Sequence, residues 1–276
     1  MSSASKPSPM PLSGIAYNQV PQSENAIHGD DVAQRHGFRG GLVPGVTVSA
    51  YLLDPAVRAW GLPFLQRGRA SVVVKKPLYD RDAFRTEVAE LGDDAYDGRV
   101  VGPDDVLCAE GRVELPAEAP APPSRRGDRR VDKDAERPLA SREVFQRLRD
   151  QGMGSVAARW DAEHAMFQCF RDGAAMPPLL RPQGGGYANA AFLLGTTNRV
   201  LAANARMPAW LHVQTDSQFY APVDLGTLLV VEAAVVDLFE RKGHAFVDLE
   251  VAAFQRDDDL CVMGARLRAI YRLRGG

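Results

Sequence analysis

Cysteine is scarce in this chain. Its three cysteines, Cys108, Cys169 and Cys261, are odd in number, far apart and outside any CxxC or Cys/His spacing, which argues against a disulfide framework and against a metal site. An excess of charge of one sign is also missing. Lysine and arginine total 33 against 35 aspartates and glutamates, a net charge of -2, so there is no electrostatic reason to expect nucleic acid or an anionic membrane as a partner. Nor is there a long apolar run near the start. Residues 1–14 are rich in serine and proline, unlike a signal peptide or a membrane anchor. We read them as a disordered arm and the protein as cytoplasmic, in a reducing compartment.

The chain does have enough residues for two cores. At 276 residues, with 45% hydrophobic and 25% charged, it suits two modules of ordinary size. Residues 116–140 (PAEAPAPPSRRGDRRVDKDAERPLA) combine prolines with clustered charges, a composition that supports neither helix nor strand ladder and reads as a linker. It separates an N-terminal unit, 15–115, from a C-terminal unit, 141–276. Each unit offers one apolar helix followed by strand-like runs. In the first, 46–60 reads as a buried helix that Pro55 should kink or end, followed by strands at 70–75, 84–91 and 106–115 with turns at Gly92-Asp93-Asp94 and Asp97-Gly98. In the second, 188–205 is the helix, and 210–220, 228–239, 244–254 and 261–273 are the strands. The gaps between strands are too short for crossover helices, so the sheets must be antiparallel. The expected fold is α+β, with two antiparallel sheets each wrapped around a central helix.

The most informative segment is Asn25-Ala26-Ile27-His28-Gly29-Asp30-Asp31-Val32-Ala33-Gln34-Arg35-His36-Gly37-Phe38-Arg39-Gly40-Gly41-Leu42-Val43-Pro44-Gly45. A histidine in a loop that leads to a buried helix has a pKa suited to proton transfer near neutrality, and Asn25 can fix water or the tautomer. Gly40, Gly41 and Gly45 would let backbone approach a ligand. If Gly45 or Val46 opens the helix, its free N–H groups can stabilise an enolate oxygen.

This segment resembles the signature of the MaoC-like, or (R)-specific enoyl-CoA hydratase, family, with Asn25, Ile27, His28, Asp30, Ala33, Gly37, Phe38, Gly40, Leu42 and Gly45 at matching positions. The resemblance implies a double hotdog fold and a hydro-lyase acting on an acyl-CoA or acyl-carrier-protein thioester. It implies no metal and no cofactor beyond the CoA or pantetheine that carries the substrate. His28 would be the acid/base, Asn25 would position water, and Gly45 and Val46 would bind the oxyanion. The family's catalytic carboxylate falls five residues before the histidine, which here is Ser23, and its later histidine is Pro44. Glu24 and Asp31 are the neighbouring carboxylates that would have to substitute.

Thioester hydrolysis, conjugate-addition cyclisation and acyl binding without turnover are the other readings this fold allows. In the second unit His212 is either a cleft residue that polarises substrate or a half-buried strand histidine bonded to backbone. Gly243-His244 reads as a hairpin turn and His36 as a helix end before Gly37. Two such units can pair within one chain as a pseudo-dimer, so a monomer and a homodimer are both compatible with the sequence.

Overall fold

The computed structural model describes residues 7–132 and 134–274. In the first half, Ser13–Ile15 forms β1, Asp30–Arg35 forms α1, Gly45–Trp60 forms α2, and Leu62–Arg67 forms α3. Strands β2 (Arg69–Val74), β3 (Ala83–Glu90), β4 (Ala95–Val101) and β5 (Leu107–Glu114) follow. In the second half come α4 (Arg142–Gln151), β6 (Val156–Arg159), α5 (Ala190–Asn204), β7 (Leu211–Phe219), β8 (Leu228–Arg241), β9 (His244–Gln255) and β10 (Cys261–Arg272). The strands make one antiparallel sheet of order β1-β3-β4-β5-β2-β7-β10-β9-β8-β6.

Each half uses the same path. A short strand precedes the long helix, the strand after the helix lies at the centre of the sheet, and the next three run back from the outside. The halves join where β2 pairs with β7, Arg69 opposite Gln218 through Val73 opposite Gln214. The two expected sheets are therefore one continuous sheet. Joining them removes two exposed strand edges, each a row of unpaired backbone groups.

Helix α2 is buried on nearly every side, with thirteen of its sixteen residues enclosed, and packs on β2, β4, β5 and β7 and on α5. It runs through Pro55 without ending, so of the two expected effects of the proline, a kink or an end, the end does not occur. Burial of Leu52, Leu53, Ala56 and Val57 outweighs the one hydrogen bond a proline removes. Tyr96 Oη also donates to Leu52 O at 2.7 Å, on the turn before the proline. Helix α5 is capped by Asn189, whose side-chain oxygen accepts from Phe192 N at 2.9 Å, and packs on β6, β7, β8 and β10.

Two further expectations need correction. Asp97-Gly98 is not a turn: it lies inside β4, where Asp97 faces out to pair with Arg112 at 2.9 Å. A side chain at Gly98 would come within 3.1 Å of Leu52, so the glycine is there to admit α2. The turn is at Gly92, with φ of +103°. The arm 1–14 is shorter than expected, because Leu12 exchanges hydrogen bonds with Thr86 and Ser13–Ile15 pairs with β3; residues 1–6 lie outside the described residues. The segment 116–140 joins the two halves with no helix or strand among its described residues, and it is pinned: Arg130 and Leu139 bridge to Ser155 and Arg206, and Arg125 pairs with Glu232 on β8. The sequence expectation had no helix at α4, which Ser141 caps by accepting from Val144 N at 3.2 Å and which buries Phe145. Among the described residues no helix is long and apolar enough to cross a membrane.

Candidate active site

The loop before α2 is held by its own side chains. Asn18 Nδ2 donates to His28 O at 2.8 Å, Leu42 N donates to Ile27 O at 3.2 Å, and Ile27 is fully buried. Gly37, with φ of +82°, turns the chain after α1, as expected for a helix that ends at His36. These contacts set the His28 ring. Its Nδ1 lies 2.7 Å from Leu42 O; a carbonyl can only accept, so Nδ1 carries the proton and Nε2 keeps its lone pair. Burial lowers the His28 pKa, the bond to Leu42 partly opposes this, and the net direction is down. The imidazole is therefore neutral at pH 7 and able to take a proton.

Asn25 is fixed from the other half of the molecule. Its Nδ2 donates to Trp210 O at 3.1 Å and its Oδ1 accepts from Trp210 N at 3.2 Å, which leaves no ambiguity in the amide orientation. The same Nδ2 is 3.4 Å from His28 Nε2. Asn25, His28, Asn198 and Trp210 together form a waist between two spaces. On the inner side is a cavity of about 230 Å³, largely apolar, whose walls include Ile27, Leu42, Val48 and Ile270 together with Lys75 and Lys76. On the outer side is a chamber of about 650 Å³ walled in part by Arg137, Arg199 and Arg206.

Gly45 lines the inner cavity and opens α2, which has no side-chain cap; Thr47 N and Val48 N both donate to Pro44 O, which leaves the N–H groups of Gly45 and Val46 as the available donors. A side chain at Gly45 would lie 3.1 Å from His212 O, which explains the glycine. Gly40 and Gly41 line neither space. A side chain at Gly41 would fall 2.2 Å from His28 O, and Gly41 N donates to Asp30 Oδ1 at 2.7 Å; these glycines fold the loop on itself. Asp31 is exposed and outside both spaces. Ser23 lines the outer chamber and spends its hydroxyl on Asn25 O at 3.1 Å. Glu24 also lines that chamber, but its side chain is 77% exposed and pairs with Arg137 at 2.8 Å. The hydrogen bond from Arg137 holds its carboxyl below the usual value.

His212 lines the inner cavity, yet both ring nitrogens are engaged: Nδ1 is 2.8 Å from Asn198 Oδ1 and Nε2 is 2.5 Å from Thr215 Oγ1. It bonds to side chains rather than backbone and has no nitrogen left for substrate. Asn198 is the site residue that sequence reading missed. The signal was a polar run, Thr196-Thr197-Asn198, in the middle of an otherwise apolar helix.

Burial pushes the folded His212 pKa down to about 4, whereas an unfolded histidine titrates near ~6.5. The unfolded chain thus binds this proton first as pH falls. The stability from neutral His212 is complete above pH ~6.5 and lost progressively toward pH ~4, a change of about 3 kcal/mol. Denaturant titrations across that window should show the decline, with a shallower one in His212→Gln. Identical slopes in the two proteins would sink the assignment.

No family model and no curated protein matches the chain. Solved structures match over nearly its whole length. A conserved protein from Mycobacterium tuberculosis, essential for bacterial survival during infection and with a double hotdog fold, superposes with a TM-score of 0.57 at 14% identity, covering 95% of this chain and 96% of that one. The chain has a double hotdog fold. A candidate MaoC domain dehydratase from Chloroflexus aurantiacus gives a TM-score of 0.57 at 12% identity, covering 96% of both chains. A TesB protein from Mycobacterium avium subsp. paratuberculosis gives 0.52 at 15%, covering 95% and 93%. At such identities the likeness establishes the fold, and the reaction has to be argued from the site.

Proposed function

We propose that this double hotdog protein is an acyl-thioester hydro-lyase, adding water to, or removing it from, an α,β-unsaturated acyl group carried on CoA or on the pantetheine arm of a carrier protein. One observation carries the reading: a neutral His28, whose Nε2 lone pair meets only the long contact from Asn25 Nδ2 at 3.4 Å, stands at the waist between a largely apolar cavity and an arginine-walled chamber. The apolar side suits an acyl chain, and Arg137, Arg199 and Arg206 suit the phosphates of the carrier. That arrangement puts the thioester at the waist. Water held by Asn25 attacks the β-carbon while His28 Nε2 takes its proton. The π electrons move to the thioester oxygen, where the Gly45 and Val46 N–H groups at the start of α2 stabilise the enolate, and the imidazolium returns the proton to the α-carbon. These steps call for neither a metal nor a redox cofactor. The likeness to a candidate MaoC domain dehydratase is consistent with them.

A second reading rests on a specific feature. The carboxylate position of the resembled signature is Ser23, and among the described residues the only carboxylate lining either space is Glu24, on the outer side and paired with Arg137. Hydrolysis, cyclisation or acyl binding without turnover would need no second carboxylate. The deciding experiment offers the protein crotonyl-CoA and a longer trans-2-enoyl-CoA and follows the products by mass spectrometry. Mass gain of one water supports the hydro-lyase, free thiol release marks a hydrolase, and binding without either product marks a binding protein.

A further inference from the structure

A chain of three side chains crosses from β7 to α5 and stops at the waist. Thr215 and His212 are buried on β7, and the Thr215 hydroxyl has His212 Nε2 as its partner at 2.5 Å and no other acceptor among the described residues. The hydroxyl therefore donates, Nε2 accepts, and the imidazole proton sits on Nδ1. Nδ1 then donates to Asn198 Oδ1 at 2.8 Å, so the amide meets His212 with its oxygen. Its Nδ2 is turned the other way.

What that nitrogen faces is the site. Thr196 and Thr197, the polar residues beside it, return their hydroxyls to the carbonyls of Leu193 and Leu194 at 2.6 and 2.7 Å, the ordinary fate of such residues inside a helix. Asn198 makes no such bond, lines both the cavity and the chamber, and its Nδ2 has no acceptor among the described residues. Asn198 is half-buried and this amide nitrogen is open to the site rather than sealed in the core, so the relay presents two aimed N–H donors that a ligand acceptor can take over from water. An acyl chain in the cavity with its carrier in the chamber brings one strong acceptor to the waist, the thioester carbonyl oxygen. Gly45, which opens α2, adjoins His212 on the same wall.

We propose that Asn198 is a catalytic residue whose Nδ2 donates to the thioester carbonyl oxygen, with Thr215 and His212 as the positioning residues that aim it. This rests on the thioester reading above. The donor strengthens its bond as charge develops on that oxygen, so its removal lowers kcat by about 100-fold with little change in KM.

The test uses a non-hydrolysable ketone analogue, 2-oxopentyl-CoA or 2-oxopentyl-pantetheine, labelled with ¹³C at the carbonyl. Its carbonyl stretch is read by isotope-edited infrared spectroscopy, and binding by calorimetry, so no turnover is needed. The expected result is a shift to lower wavenumber on binding to the wild type, lost in Asn198→Ala and in Asn198→Asp, and retained in His28→Ala. Thr215→Val should weaken the shift by freeing the His212 tautomer, and Thr215→Ser should restore it, an outcome a purely structural role for Thr215 would not give. Should Asn198→Ala not fold, Asn198→Asp, which keeps the oxygen toward His212, carries the comparison. A shift unchanged in the Asn198 variants overturns this assignment and leaves the thioester reading standing. Failure of the wild type to bind either analogue overturns both.

Discussion

Turnover of an enoyl thioester is expected to fall by about a thousandfold in His28→Ala, with KM nearly unchanged, as general acid–base groups contribute ~10²–10⁴. Among the described residues His28 is the group that brings a basic lone pair to the waist, met only by the long 3.4 Å contact from Asn25 Nδ2, since the nitrogens of His212 are both engaged at 2.5–2.8 Å and Glu24 is held by Arg137 at the outer chamber. Binding should survive, because acyl chain and carrier are held by walls the substitution leaves in place. Loss of the ring removes the bond to Leu42 O, so circular dichroism and a melting curve must accompany the kinetics. Asp31→Asn is the matched control, being exposed and outside both spaces, and should turn over like the wild type. The acid limb of the wild-type profile should lie below the ordinary histidine value of ~6.5, because burial lowers the His28 pKa and the base stays unprotonated further into acid. Retention of wild-type turnover by His28→Ala would rule out this histidine as the base. An acid limb at or above the ordinary value would count against the burial argument while leaving the base in place.

How much of this was readable in the sequence follows from which signals are local. A strand whose faces largely alternate, such as β7, one buried on both faces, such as β9, and helices as apolar as α2 and α5 fell within two or three residues of their places, because burial on one face or all round writes itself into the pattern. Strand β4 did not. Its Asp97-Gly98 has the composition of a turn, and only the approach of Leu52 from α2 explains why glycine sits in a strand. The pairing of β2 with β7 was equally invisible, since a sequence shows that a strand forms but not which edge it finds. The site divides in the same way. Asn25 and His28 stood out through a dense local motif, but Gly40 and Gly41 were assigned to a ligand when their close neighbours are Asp30 and the His28 carbonyl. The Thr215–His212–Asn198 relay joins two elements fourteen residues apart, and no spacing rule links a strand histidine to a helix asparagine.

Glu232→Gln is expected to cost about 3–5 kcal/mol of stability, the largest structural effect foreseen for a single substitution, and to free the segment that joins the two halves. Glu232 is 1% exposed on β8. Its Oε1 accepts from Arg125 Nε, Gly127 N and Asp128 N at 3.0, 3.0 and 3.1 Å, and its Oε2 from Arg126 N at 2.7 Å. Burial pushes this carboxyl up, but the backbone N–H groups of Arg126 and Asp128 and the Arg125 guanidinium together pull it further down, leaving it below the ordinary value. Its contribution is therefore present above the unfolded carboxyl value of ~4.3 and lost as pH falls through the lower folded value. A glutamine puts an NH₂ where donors already converge and leaves Arg125 with Asp259 as its one remaining carboxylate partner. The segment's hold on Ser155 through Arg130 then loosens, and with it Arg137 at the outer chamber. Melting curves should drop by roughly 6–15 °C, and trypsin should cut at Arg125, Arg126, Arg129 or Arg130 well before it cuts the wild type. If Glu232→Gln melted with the wild type and resisted trypsin equally, the carboxylate would not be what fastens this segment to the second half.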